Sequence, residues 1–450
     1  MDKLFEELST ILSVPVDKVR YVTLFLVSFP LATLLRVVLH YSYTSPTIRH
    51  TVSALLGLFF GWICFQWQVF YLIGFVLIGY ILLVTLPPSI VQRYSMIYAL
   101  ISISTGHIYR LITDYGGYTL DFTGPLMLLV QRVSYVAYAY HDGVARDESK
   151  LTEDQKRHKI DSIPSLLEYF SYNFCFMTFL AGPTTTYREY DDFITGNNMI
   201  RAKQVTGSDP SPLVPVLKKA SVSLLFLSIV VLNTQRLDKN LLLDPDLSFP
   251  RRLLNITIFA SIIRCQYYFT FIIADGICNA GGLGYDSLAS DESKRWSLTT
   301  MVDVYQIELA TNARELISGW NLPTMNWLRR LIYDRGNKSV LLTNMVSAMW
   351  HGYYPGYYLS FFVAGLGTLV GRKLRFITQN AFDSSRVMKS SYTVLCIIVL
   401  SLMRDFNFIS FQLMFLEDIF FIWKCYYFIP VIGLLSLFFL LPSVKKQKST

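Results

Sequence analysis

The sequence predicts an all-α, polytopic membrane protein of about eleven transmembrane helices, some of them short or broken. Composition is the first observation: of 450 residues, 52% are hydrophobic and only 16% charged, with a mean hydropathy of +0.39, which is too apolar for a soluble domain. The second is spacing. Apolar stretches of about 20 residues, the length that crosses a hydrocarbon core, recur along almost the whole chain. Between them, no segment is long enough for a separate soluble domain, and no internal repeat is visible.

Residues 1–20 read as an interfacial amphipathic helix. Leu4, Phe5, Leu8, Ile11 and Leu12 mark one helical face, while Asp2, Glu6 and Glu7 contradict the basic start of a secretory signal. Residues 21–441 form a single transmembrane domain. Its spans centre on YVTLFLVSFPLATLL, SALLGLFFGWICF, VFYLIGFVLIGYILLV, TGPLMLLVQRVSYVAYAY, NFCFMTFLAG, LKKASVSLLFLSIVVL, ITIFASIIRCQYYFTFIIA, YYLSFFVAGLGTLV and SYTVLCIIVLSLM, with two more between Phe408 and Leu441. Residues 442–450 are a basic tail, in which Lys446 and Lys448 have the K-x-K-x-x spacing of a dilysine retrieval signal.

A net charge of +8 would point to nucleic acid in a soluble protein. Here Lys and Arg lie mostly between spans, where they set topology and meet anionic lipid headgroups, so no nucleic-acid partner is expected. The six cysteines, Cys64, Cys175, Cys265, Cys278, Cys396 and Cys425, stand singly in or beside apolar segments. Neither a disulfide framework nor a zinc site follows.

Two segments concentrate the remaining charge. The first, HDGVARDESKLTEDQKRHKIDS at 141–162, mixes both signs and reads as a solvated connector. Its Asp142 to Arg146 is one residue short of a D-G-x-x-A-R metal signature, and the aspartates that would complete the clamp are absent. No G-x-S-x-G elbow, P-loop or H-E-x-x-H occurs, and no histidine is followed by aspartate at H-x-x-x-x-D spacing. Gly365, Gly367 and Gly371 have the wrong spacing for a dinucleotide turn and suit close helix packing instead.

His351 stands out. From Val340 to Val370 it is the only ionisable side chain besides tyrosine, and a charge at a helix centre costs roughly 2.5 to 3.5 kcal/mol. Low dielectric favours the neutral ring, whose bare nitrogen can accept a proton, as a general base must. The alternative is a histidine that only bonds a neighbouring backbone. Trp350 precedes it and Gly352, Pro355 and Gly356 follow, so the helix is expected to break there, beside protein or a cavity. Upstream, SGWNLPTMNWLRRLIYDR at 318–335 holds Trp320, Asn321, Trp327, Arg329, Arg330 and Arg335. Asn321 alone could cap the helix that Pro323 opens.

Together the two elements resemble the membrane-bound O-acyltransferase family: Asn321 in a W-N-x-x-x-x-x-W-L motif, and His351 in WHGYYPGYYLSF, the form of the lysophospholipid acyltransferase branch. DFTGPLMLLVQR (121–132), HDG (141–143), AGPTTTYREYDDF (181–193) and RCQYYFTFIIADGICNAGGLGY (264–285) extend the resemblance over most of residues 10–440. It implies helices around a central catalytic chamber, open to lipid and cytosol. It implies transfer of an acyl chain from acyl-CoA to the sn-2 hydroxyl of a lysophospholipid, for phospholipid remodelling, with no metal or redox cofactor. His351 would then be the base, and Asn321 an oxyanion donor or an orienter. Trp320, Trp327 and Trp350 would shape the acyl tunnel unless they anchor at an interface. Arg329, Arg330 and Arg335 would meet CoA phosphates unless they only set topology. Residence in the endoplasmic reticulum is the expected location. A sterol, diacylglycerol or protein acceptor is the nearer alternative, and a polytopic transporter the more distant one. Oligomeric state and headgroup preference are not legible.

Overall fold

The computed structural model describes residues 2–12, 14–117, 119–378 and 385–442, and every regular element among them is helical. The tail lysines Lys446 and Lys448 lie outside the described residues. Two compact units are present, Met1–Leu224 with Thr270–Met301, and Leu225–Phe269 with Val302–Thr450.

Among the described residues, five helices are long and apolar enough to cross a membrane: Val16–Val37, Pro46–Thr85, Leu213–Leu232, Phe249–Gly281 and Arg386–Leu413. A sixth is added if Leu416–Cys425 and Ile429–Leu440, bent by 80°, form one broken span. This is fewer than the eleven or so expected, for identifiable reasons. Pro46–Thr85 joins two expected spans in one stretch of 40 residues. A straight helix of that length would be about 60 Å long, twice a hydrocarbon core, and Gln66, at φ +48°, interrupts it. Thr123–Val144 and Pro355–Thr378 are helices too, but carry Arg132 and Asp142, and Arg372, Lys373 and Arg375. The expected NFCFMTFLAG span is two short pieces, Leu166–Asn173 and Phe176–Phe179. Of Leu213–Leu232 only Ser223 is buried, leaving an outward apolar surface that belongs against lipid.

In the first unit, Asp2–Leu12 is a separate short helix followed by the first span. Phe5 turns inward, Leu4 and Ile11 outward, and Arg20 reaches back to Asp2 at 2.9 Å. The break between Leu166–Asn173 and Phe176–Phe179 frees backbone carbonyls inside the protein, where water cannot satisfy them. Arg132, 1% exposed, does so: Nη1 donates to Asn173 O at 2.5 Å and Nη2 to Thr178 O at 2.7 Å. Gly57 passes the same break so closely that a Cβ would sit 1.7 Å from Phe174 O. An unsatisfied buried carbonyl costs about 1–3 kcal/mol. Arg132→Met should therefore lower the melting temperature of the detergent-solubilised protein by several degrees, and an unchanged melt would show that these carbonyls need no partner.

The segment 141–162 is the solvated connector expected only in part, since most of 144–153 is exposed but its two ends are packed. His141 to Val144 is the last turn of a helix, Gly143 lies where a Cβ would meet Ile160 O at 2.1 Å, and Leu151, His158 and Ile160 are buried. His141 Nδ1 is 2.8 Å from Pro88 O, and Asp142 bridges Arg146 at 3.1 Å. The H-D-G triplet thus has a packing role.

The second unit is built on a core in which Ile256, Phe259, Ala260 and Ile263 of Phe249–Gly281 meet Phe406, Ile409 and Leu413 of Arg386–Leu413 and Ile419, Ile422 and Trp423 of Leu416–Cys425. Trp423 Nε1 donates to Ser410 Oγ at 2.9 Å. Pro355–Thr378 adds Val363 to this core. Two of its three expected small-residue positions are in contact, Gly365 with Asn344 and Gly371 with Ala313, while Gly367 faces open space.

Candidate active site

The helix Val340–His351 starts at Ser339, whose hydroxyl accepts from Leu342 N, and its final residue is the histidine. The expected break follows at once. Gly352 adopts φ +130° and ψ −166°, a conformation essentially reserved for glycine. Pro355 opens the next helix, Pro355–Thr378, where its missing N–H costs nothing. Gly356 must lack a side chain, because a Cβ would lie 2.6 Å from Ser410 O and 2.9 Å from Met414 Cα, and its N–H donates to Met414 O at 3.0 Å. Gly352, Pro355 and Gly356 thus shape the turn that leaves His351 at a helix end.

His351 is half-buried in an aromatic collar. Trp350 meets its ring edge-on at 4.7 Å, Phe411 edge-on at 5.1 Å, Phe361 stacks at 5.2 Å, and Tyr357 lies at 5.9 Å. Such walls fix the plane of the imidazole and lower the local dielectric, while its residual exposure leaves the ring reachable.

Asn321 holds φ +43° and ψ +60° at the start of the helix Leu322–Leu328. Asparagine is among the few residues that occupy this left-handed region readily. It stands at the capping position, yet its side chain makes no capping hydrogen bond. The capping alternative therefore does not account for the amide. Trp327, six residues on, is fully buried with its ring 6.2 Å from that of Trp350. This contact joins the helix that opens at Asn321 to the helix that closes at His351. Between them the chain widens into a π-helical turn, Arg329–Tyr333, a rare geometry that recurs at functional sites.

The other expected site residues divide. Trp320 is half-buried against Tyr267, Tyr268 and Phe408, at 5.4, 6.0 and 5.8 Å. Trp327 and Trp350, at 0% and 3% exposure, are interior residues and not headgroup-level anchors. Arg329 is exposed, and Arg330 and Arg335 are half-buried. Arg335 Nε donates to Arg330 O at 3.1 Å, closing the turn on itself.

One cluster was not foreseen. Arg264 Nη1 bonds Asp405 at 2.6 Å and its Nε bonds Glu308 at 2.9 Å; Arg404 bonds Glu308 at 2.8 Å and Asp405 at 3.1 Å. Tyr268 Oη donates to Glu308 at 2.7 Å. Burial works against the charge on Glu308, but Arg264, Arg404 and Tyr268 together hold its carboxyl below the usual range. Its share of the stability is thus present above the ordinary glutamate pKa and is lost as pH falls through the depressed one. The signal was available, since ionisable residues of opposite sign inside two apolar helices usually meet.

Residues 108–412 match the model of the membrane-bound O-acyltransferase family. Lysophospholipid acyltransferase 6 of Drosophila melanogaster is 32% identical over 99% of this chain, which spans 64% of that protein's length. The Membrane-bound glycerophospholipid O-acyltransferase 1 of Mus musculus is 32% identical over 96% of this chain and 91% of its own length. For Membrane-bound glycerophospholipid O-acyltransferase 2 of Homo sapiens the figures are 33%, 99% and 88%. The histidine at its helix break and Asn321 both fall inside the matched span, and a match of this extent makes the chain a member of the membrane-bound O-acyltransferase family.

Proposed function

We propose that this protein is a lysophospholipid acyltransferase that moves a fatty acyl chain from acyl-CoA to the free sn-2 hydroxyl of a lysophospholipid. The relatives' names specify lysophospholipid or glycerophospholipid O-acyl transfer, and acyl-CoA is the donor the site chemistry suits. The observation that carries the reading is the Trp327–Trp350 contact, which couples an uncapped Asn321 to a reachable His351. A thioester is already activated, whereas a lipid alcohol attacks poorly until its proton is removed. A ring nitrogen of His351 takes that proton, and the hydroxyl oxygen attacks the thioester carbonyl. The tetrahedral oxyanion receives the Asn321 amide N–H. Collapse breaks the C–S bond, and the proton passes to the departing CoA sulfur. General-base help is worth about 10² to 10⁴ in rate, and one oxyanion donor about 10² to 10³.

Trp327 and Trp350 act by packing, as the spacer between the two polar residues. In this reading Trp320 walls the acyl chain and exposed Arg329 meets a CoA phosphate, with Arg330 and Arg335 shaping its turn. The endoplasmic reticulum is the proposed location. The test is a panel of lysophospholipids offered to the purified protein with labelled oleoyl- and arachidonoyl-CoA. Labelled diacyl phospholipid with stoichiometric free CoA is expected. Product only from a sterol, diacylglycerol or peptide would move the acceptor, and solute uptake by reconstituted vesicles without thioester consumption would overturn the enzyme reading.

A further inference from the structure

The four-charge cluster described above does more than balance itself. Glu308 ends the short helix Val304–Glu308, and the rest of that helix grips the turn before Asn321. Asp303 N donates to Gly319 O at 2.9 Å. Gln306 Nε2 donates to Glu315 O at 3.0 Å and to Ser318 Oγ at 2.6 Å. Gly319 is tight for a side chain, since a Cβ would lie 3.0 Å from Ile307 and 3.2 Å from Asp303 O. A second route runs through Tyr268, whose hydroxyl bonds Glu308 and whose ring meets Trp320. Both routes start at one carboxylate and end beside Asn321.

We propose that Glu308 is a positioning residue for Asn321: held by Arg264 and Arg404, it fixes the turn 318–320 and so aims the amide that follows. The inference rests on the catalytic reading of Asn321. Its logic is that Asn321 sits in a left-handed conformation whose carbonyl is held by Met325 N at 2.9 Å but whose side chain makes no capping bond, so the turn before it shares in setting its direction. Two arginine arms, one from each of two long helices, resist tilting of the short helix better than a single bond would. Removing the charge of Glu308 leaves Arg264 with Asp405 and Arg404 on Ile307 O at 3.2 Å, but loosens the end of the short helix.

Glu308→Gln preserves shape and removes the charge. Its turnover should fall about tenfold with KM for acyl-CoA and lysophospholipid nearly unchanged, because aim and not binding is lost. The deciding measurement is a double-mutant cycle. In an Asn321→Ala background the same Glu308→Gln change should cost less than about twofold, since no amide remains to be aimed. A further tenfold loss in that background would overturn the proposal while sparing the catalytic reading, as would wild-type turnover in Glu308→Gln. Full turnover in Asn321→Ala would overturn both. If Glu308→Gln does not fold, Tyr268→Phe serves: it removes one bond to Glu308 and keeps the ring on Trp320. It should lower turnover by about two- to fivefold in the wild-type background and not in Asn321→Ala. Equal losses in the two backgrounds would overturn the proposal.

Discussion

His351→Ala is expected to lose about 10² to 10⁴ in turnover, with a melting curve close to wild type. The ring is half-buried, and its aromatic neighbours also pack on one another: Tyr357 on Phe411 at 4.6 Å, Trp350 on Trp327 at 6.2 Å. The collar should outlast the loss of one imidazole. Its small vacancy offers a second readout, since added imidazole should restore part of the activity to the alanine variant and none to the wild type. A well-folded His351→Ala protein with near-normal turnover would falsify the general-base assignment.

Asn321→Ala should lower turnover by about two to three orders of magnitude. The left-handed backbone at this position adds a control that sequence alone would not suggest. Alanine at φ +43° costs about 1–2 kcal/mol of strain, so some loss could come from a displaced turn. Asn321→Gly keeps the backbone free to adopt the observed angles while removing the amide. If the amide is what matters, glycine and alanine fall together; recovery in the glycine variant would assign the effect to conformation. Asn321→Asp, which retains the shape but loses the donor, should be at least as poor.

How far the chain could be read in advance depends on the kind of signal. The aromatic and glycine letters around His351 report local backbone geometry, so WHGYYPG announced a helix end followed by a tight turn, and that is what stands there. Asn321 was ambiguous for the same reason. A polar residue before a helix-opening proline has a local explanation, and the fact that its side chain makes no cap is a matter of rotamer and surroundings. Span counting failed differently. Apolar runs such as NFCFMTFLAG look alike whether they cross a bilayer or fold back on themselves, and the deciding partner, Arg132, lies some forty residues away. The packed ends of 141–162 escaped notice because charge pattern does not reveal which residues a neighbouring backbone will cover, as Ile160 covers Gly143.

The sequence by itself determined that this chain is helical, membrane-embedded and equipped with one histidine at a broken helix, because hydropathy, residue size and backbone preference act over a few neighbours and survive any packing. Only the tertiary structure decided which residues meet: that Trp327 lies on Trp350, that Arg264 and Arg404 share Glu308 and Asp405, and that the short helix ending in Glu308 holds the turn before Asn321. The Trp327–Trp350 and Arg264–Asp405 contacts join positions 23 and 141 residues apart. Their energy depends on burial and geometry that local spacing does not encode, because at low dielectric a charge or an amide is defined by the one partner that reaches it.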